Sequence, residues 1–293
     1  MSKAVAAKKK PRKKGPITKK RKSPRKTNAP KVLLIDIETK PLLAYLWGIW
    51  EQNVGLNMIE ADWSILSFAA KWLGDPPTKI IYHDVSKQKD MDDDRPVLEA
   101  AWKLLDLADI VITQNGVQFD RKKLNARFII QGMKPPSPFR MIDTKQIAKR
   151  NFGFTSNRLE YLSDRLNKKY KKLKHEKFSG FELWRECMAG NKEAWAEMRK
   201  YNMYDVLALE ELYHKLAPWD SKSQVATYTD DHIAECSCGS TDFKRSGWQY
   251  TMTGKFQRYC CKECGAWSRG RINHFSEATR KKLRVGISQG GSQ

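Results

Sequence analysis

Asp36 and Glu38 stand two residues apart in KVLLIDIETKP, residues 31–41, among Val32, Leu33, Leu34, Ile35 and Ile37. Alternate residues of a strand share a face, which sets the two carboxylates about 7 Å apart on one side. Ionised and partly buried, they repel, and one takes up a proton unless a cation lies between them. A divalent metal removes that conflict, because hard cations take carboxylate oxygens. A polar sheet face has the same spacing, so the pair alone proves little. Asp120, in QNGVQFDRKK, follows a short apolar run that ends in Asn115-Gly116. It fits a helix N-cap, and equally a third metal ligand at the carboxyl end of a strand, where open sheets present their sites. Tyr201 and Asp205, in YNMYDVLALEEL, are four apart on a strongly helical stretch and share one face. An ordinary polar stripe would look the same.

Sulfur makes a second constellation. Cys236, Cys238, Cys260, Cys261 and Cys264 fall within 29 residues, while Cys187 sits alone on an apolar helix and reads as an inert buried thiol. The cluster spells C-x-C, 22 residues beginning with Gly239, then C-x-x-C-G, with two strand-like runs joined at Thr253-Gly254 between the pairs. That pattern looks like a zinc ribbon, two knuckles held by one tetrahedral Zn²⁺ that a core this small needs. It also resembles the ribbons appended to transposases and phage proteins, whose second knuckle reads as in QRYCCKECG. The expected ligands are Cys236, Cys238, Cys261 and Cys264. The first pair is separated by one residue rather than two, which leaves Cys260 and His232 as substitutes. A closed four-ligand site is structural.

The elements that must position the acids follow from periodicity. Strands are expected at 32–37, 64–73, 79–85 and 109–115, the second and third forming an antiparallel meander with the first. RPVLEAAWKLLDLA, FDRKKLNARFIIQGM, DTKQIAKRN, RLEYLSDRLN and FELWRECMAG read as helices, with Asp143 as an N-cap, and residues 191–216 as one long helix. Asp90 and Asp92–Asp94 read as a solvated loop capping the helix that follows. Most of the ten tryptophans are expected in the core. Strands first, then strands mixed with helices, indicate an α/β fold with a mixed sheet.

Taken in order, D-x-E on the first strand, N-G-x-x-F-D after a later strand and Y-x-x-x-D on a late helix resemble the DEDDy class of 3′–5′ exonucleases. These share the ribonuclease H-like fold with polymerase proofreading domains. IDIETKPLLAYLWGIWEQNVGL, PPSPFRMIDTKQIAK and KHEKFSGFELW are similar to a phage and bacterial branch of that family. The resemblance covers residues 31–219 and implies that Asp36, Glu38, Asp120 and Asp205 bind two Mg²⁺ or Mn²⁺ ions and that Tyr201 hydrogen-bonds the attacking water. By family analogy, Trp47 and Trp50 lie near the active cleft. The sister class with a His five residues before the last acid is excluded by Lys200. Gln114 replaces a His that often precedes the N-G pair in relatives.

Charge points to the partner. The net charge is +22, and residues 1–31 supply +14 of it from eleven Lys and three Arg with no acid. Such a run cannot bury enough apolar surface to order itself, and it can neutralise phosphates. Lys168, Lys169, Lys171, Lys172, Lys174 and Lys177 interleave with Tyr170 and His175 in a loop that could track a nucleic-acid backbone or simply be solvated. Lys168, Lys169, Lys171, Lys172, His175 and Asn115 are the substrate-binding candidates. No run of 18 apolar residues and no signal-peptide core occur, which excludes a membrane role and points to an intracellular site. In a bacterial or phage-infected cell that is the cytoplasm or nucleoid, and in a eukaryote the nucleus.

The expected organisation is a disordered basic tail over 1–30, a nuclease domain over 31–219, a linker over 220–234, a ribbon over 235–272 and a basic tail over 273–293. The expected function is a two-metal 3′–5′ exonuclease acting on nucleic acid, DNA before RNA, in phage or bacterial DNA replication, repair or degradation. A replication or repair protein is a possible partner for the ribbon. The alternatives are an RNA-directed or structure-specific endonuclease on the same fold, and a non-catalytic nucleic-acid-binding module.

Overall fold

Nearly continuous aliphatic runs make the centre of the structure. Val32, Leu33, Leu34 and Ile35 point alternately to two faces and are all buried, the signature of a strand covered on both sides. A computed structural model describes residues 30–173, 177–220, 222, 235–236 and 238–285. The tail at 1–29, His175, His232 and most of the 220–234 segment lie outside the described residues.

Strand β1 (Val32–Thr39) leads through the short β2 (Leu43–Ala44) and β3 (Ile59–Ala61) into β4 (Ile65–Trp72) and β5 (Ile81–Asp84). Helix α1 (Arg95–Leu107), β6 (Ile110–Thr113), α2 (Asp120–Ile130), β7 (Arg140–Asp143) and α3 (Thr144–Asn151) follow. Helices α4 (Leu159–Leu166), α5 (Glu182–Met188) and α6 (Lys192–Leu216) complete this part of the chain. The five-stranded sheet runs β5-β4-β1-β6-β7, antiparallel at β5-β4-β1 and parallel at β1-β6-β7. This is a ribonuclease H-like mixed sheet flanked by helices, as expected from the sequence. One face packs α1, α2 and α5 with Leu33, Ile35 and Phe68, and the other packs α3, α4 and the C-terminal half of α6 with Leu34, Ile112 and Ile142.

Two expectations fail. Asp94 is not solvated: it is fully buried, its carboxylate takes both Nε and Nη2 of Arg127 at 2.7 Å, and it accepts from Ile65 N at 2.9 Å. It stands at the N-cap position of α1 without capping it. Nor are most tryptophans in the core. Among the ten, Trp195 is buried and Trp63, Trp72, Trp102 and Trp184 pack partly against the core. Trp47 and Trp50 are 95% and 84% exposed, on an arm with Leu46 and Ile49 also at the surface.

The C-terminal part forms a three-stranded sheet, β8 (Phe243–Thr251), β9 (Gly254–Cys261) and β10 (Trp267–Arg269), ordered β10-β9-β8, followed by α7 (Glu277–Lys282). Its buried centre is Cys236, Cys261 and Ala266, with Phe243 and Cys264 against them. A core this small needs a staple.

Candidate active site

Strand β1 pairs along most of its length with β4, with Asp36 opposite Ala69, but its parallel pairing with β6 stops at Leu34–Ile112. Beyond that point the strands part and backbone groups of β1 need other partners. The N–H of Ile37 finds one in Oδ1 of Asp120, 3.3 Å away. Asp120 thus reaches the sheet between Asp36 and Glu38 rather than capping α2, whose N-cap position is Phe119.

The turn that delivers Asp120 is tightly specified. Asn115 has φ +69°, and a Cβ on Gly116 would come 2.3 Å from Oγ1 of Thr113, so only glycine fits there. Asp143 is the N-cap of α3, accepting from Lys145 N and Gln146 N, as expected. It also accepts from Asn115 N at 2.9 Å and Val117 N at 3.3 Å, which fastens the turn to β7.

Helix α6 brings the other half. It is 25 residues long, capped by Asn191, and lies against β1 and β4. Asp205 on α6 meets Asp36 and Glu38 so that one carboxylate oxygen from each lies within 4.8 Å of the others, a set that could hold a metal ion. Asp120 stands beside this trio rather than within it. Tyr201 is one turn earlier on α6, nearly buried, its ring edge-on to Trp184 at 6.0 Å between centroids.

Electrostatics argue that the trio lacks counter-charge. Burial, then the charges of Asp205, Glu38 and Asp120, push the Asp36 carboxyl well above the usual range. Burial and Asp205 push Glu38 up to about 8, and burial pushes Asp120 up to about 7. Oxygen donors under mutual repulsion are the chemistry that a hard divalent cation satisfies, so the residues fit such an ion. Part of the missing charge comes from Lys172, whose Nζ lies 2.7 Å from Oδ2 of Asp205 and 4.6 Å from the centre of the Tyr201 ring. Burial opposes its charge, but Asp205 and Tyr201 outweigh burial and raise the Lys172 pKa.

Two neighbours of the trio were not singled out from the sequence. Asn202, fully buried, donates from Nδ2 to Oδ2 of Asp36 at 2.8 Å and accepts from Ser67 Oγ at 3.3 Å. Its position three residues before Asp205 was the available signal, since i and i+3 share a helix face. Trp184 hydrogen-bonds Glu38; it closes the stretch KHEKFSGFELW, which was the available signal.

The basic loop divides. Backbone N–H groups of Lys168, Lys169 and Tyr170 converge on the carboxylate of Glu211 from α6, anchoring the loop. Lys171 pairs with Asp164 at 3.0 Å, and Lys172 alone of these four reaches the carboxylates. Asn115 Oδ1 accepts from Lys145 Nζ at 3.1 Å.

In the C-terminal part, Cys236, Cys238, Cys261 and Cys264 present four Sγ atoms within 4.8 Å of one another. Cys236–Cys264 is 3.4 Å and Cys238–Cys261 is 3.7 Å, near the edge of about 3.8 Å that a tetrahedron of 2.3 Å Zn–S bonds would have. Although burial opposes it, backbone donors from Cys264 and Glu263 and the neighbouring thiols bring Cys261 down to about 6, while burial and the crowded thiols push Cys238 and Cys264 up. Cys260 turns instead to the carbonyls of Cys261 and Gly265, 3.6 and 3.7 Å away.

Among the described residues no helix is long and apolar enough to cross a membrane. No curated protein matches the chain. The solved structures include a family B DNA polymerase from the hyperthermophilic archaeon Pyrobaculum calidifontis, similar at 14% identity and a TM-score of 0.46 over 64% of this chain and 25% of that one. This chain therefore spans about a quarter of the polymerase's length. The model of the RNase H superfamily matches residues 73–217, a span that includes Asp120, Tyr201 and Asp205 and begins beyond Asp36 and Glu38. Residues 73–217 are thus similar to the RNase H superfamily, and the five-stranded sheet takes in β1 and β4 from before that span, β1 being the strand that holds the first two acids.

Proposed function

We propose that the protein is a divalent-metal-dependent nuclease, a 3′–5′ exonuclease with DNA as the favoured substrate, acting in phage or bacterial DNA metabolism. The observation that carries this reading is the convergence of Asp36, Glu38 and Asp205, from a strand and a helix far apart in sequence, on one cation-sized space. Asp120 supplies the fourth acid. Two Mg²⁺ or Mn²⁺ ions held by these acids would supply positive charge to the attacking and leaving oxygens of an in-line displacement.

The chain's own groups do the rest. Asn202 fixes the Asp36 carboxylate and Trp184 that of Glu38, so the oxygens are oriented before any ion arrives. Tyr201 keeps its phenol proton, its pKa raised by burial and by Asp205. Its hydroxyl, from a residue one helical turn before Asp205, would orient a water for attack on phosphorus. Lys172 leads from the basic loop to this point, and Lys168, Lys169, Lys171, His175 and Asn115 complete the surface assigned to substrate.

The ribbon over 235–272 would hold one structural Zn²⁺ through Cys236, Cys238, Cys261 and Cys264, with the nuclease domain over 31–219. Its exposed basic strands offer a second grip on nucleic acid, or a surface for a replication or repair protein.

The test is digestion of end-labelled single- and double-stranded DNA and RNA with Mg²⁺ or Mn²⁺, beside an Asp36→Ala/Asp205→Ala variant. A stepwise ladder from the 3′ end of DNA is expected, absent in the variant. Internal cuts would replace the exonuclease reading with an endonuclease, and RNA-only cleavage would reverse the sugar preference. Equal inertness of both proteins would leave a binding module.

A further inference from the structure

Between Lys40 and Lys71 the chain holds no Lys or Arg, although these make up 55 of its 293 residues, and it holds three acids, Glu51, Glu60 and Asp62. Within that stretch, residues 42–56 follow β1 as an arm. Tyr45, Trp47, Ile49, Trp50 and Leu56 on it are 68–95% exposed, and Leu46 beside them is more than half exposed. The arm has a definite shape. At its base Tyr45 N–H donates to the Met58 carbonyl at 2.9 Å, and Glu51 turns the chain at φ +54°. Its strands β2 and β3 pair only with each other, and two strands alone are marginal in water. We propose that this arm is the interface of a homodimer, packing on the same arm of a second copy of the chain.

Area, charge and symmetry select that occupant. The six side chains present on the order of 800 Å² of apolar surface. The largest patch on a monomer is about 300–600 Å², and a standard interface takes about 800 Å² from each partner. Tryptophan and tyrosine with few charges among them make the composition of an interface centre. Nucleic acid and anionic membranes are poorly matched, because the arm offers them acids and no cation. The chain's own tail over 1–29 does not suit the arm either, since Met1, Val5 and Ile17 are its only larger apolar side chains. A two-fold contact brings identical patches together, and apolar groups satisfy that without needing opposite charges. Each copy carries +22, so the chains repel at long range and salt favours their union by screening. Association bridged by nucleic acid has the opposite dependence on salt.

The proposal stands whether or not the chain cuts a phosphodiester. Its test is sedimentation equilibrium of the full-length protein, freed of nucleic acid, at micromolar concentrations in about 0.15 and 0.5 M NaCl. A mass approaching twice that of the chain is expected, with tighter association at the higher salt. Trp47→Ser/Trp50→Ser removes two of the most exposed side chains and should dimerise at least about tenfold more weakly, with its urea midpoint unchanged. Leu56→Ser, on the returning limb of the arm, should act in the same direction. Ile129→Ser, equally exposed but on α2, should leave the dimer intact, and an equal loss there would place the interface elsewhere. A monomer at both salts, a dimer that salt dissolves, or a dimer kept by both arm variants overturns the proposal. A monomeric wild type that binds phosphatidylcholine vesicles or an oligonucleotide more tightly than the tryptophan variant gives the arm to that occupant instead, and overturns it equally.

Discussion

Lys172 places its Nζ 2.7 Å from Oδ2 of Asp205 and so occupies, as an ammonium, ground that a divalent cation would share. Its charge is secure at any neutral pH, because Asp205 and Tyr201 raise its pKa against the cost of burial. A bound ion must therefore displace this amine or share Asp205 with it.

Replacing Lys172 with Met, which keeps the apolar stem, should tighten Mn²⁺ binding about tenfold. Removal of one like charge near the ion contributes on the order of 1–2 kcal/mol at the effective dielectric of such sites. Titration calorimetry with Mn²⁺ reads this directly. Affinity equal to or below wild type would show that the amine does not compete with the ion.

Asn202→Leu leaves the carboxylate of Asp36 without its 2.8 Å donor and Ser67 without its acceptor, in a fully buried place. The expected cost is about 1–3 kcal/mol in urea unfolding, together with weaker Mn²⁺ binding as Asp36 loses its orientation. A variant as stable as wild type and with the same affinity would mean that Asn202 is only a spacer.

Acidity changes stability in a direction set by the raised carboxyls. Glu38 ionises near 4.5 in an ordinary setting and only near 8 in the fold. Between those values the native state holds more protons than the unfolded chain, so stability falls as pH rises. The contribution is complete below about 4.5 and is lost through about 8. Asp120, near 7, acts in the same sense. Lys172, raised above its ordinary 10.5, adds no slope in this window. Without added Mg²⁺ or Mn²⁺, the urea midpoint should fall from pH 5 to pH 8, and Glu38→Gln should flatten the trend. A midpoint that rises across the same range would contradict the raised values.

Zinc analysis of the purified chain should give about one tightly held ion, lost in Cys261→Ser/Cys264→Ser. Limited proteolysis should then cut within β8 and β9 while the five-stranded sheet persists, since a cysteine-centred core this small has little else to hold it. A full zinc complement in the variant would remove these two cysteines from the site.

The sequence made the frame and the acids readable for a physical reason. β1 and β6 are short runs of aliphatic residues with no competing period, and Asp36 and Glu38 interrupt that pattern visibly on β1. Asp94 was misread because its partner, Arg127, is 33 residues away and an acid beside other acids has the look of solvent. The tryptophans of the 42–56 arm misled in the opposite way, because size and apolarity predict burial only when something is there to cover them. Lys172 was indistinguishable from Lys168 and Lys169 until Glu211 fixed the loop and turned one amine inward.

Two of the three clustered acids are carried by a strand and the third by a long helix lying across it. No backbone ladder links the two, so their alignment depends on side-chain packing and on the hydrogen bonds of Asn202 to Asp36 and Ser67. A helix advances 1.5 Å and turns 100° per residue. Slippage of α6 by one residue would swing Asp205 off the face it shares with Asp36 and carry Asn202 away from the Asp36 carboxylate. The centre is therefore a gauge of helix-on-sheet alignment, and core substitutions beneath α6 can silence it in a protein that remains fully folded.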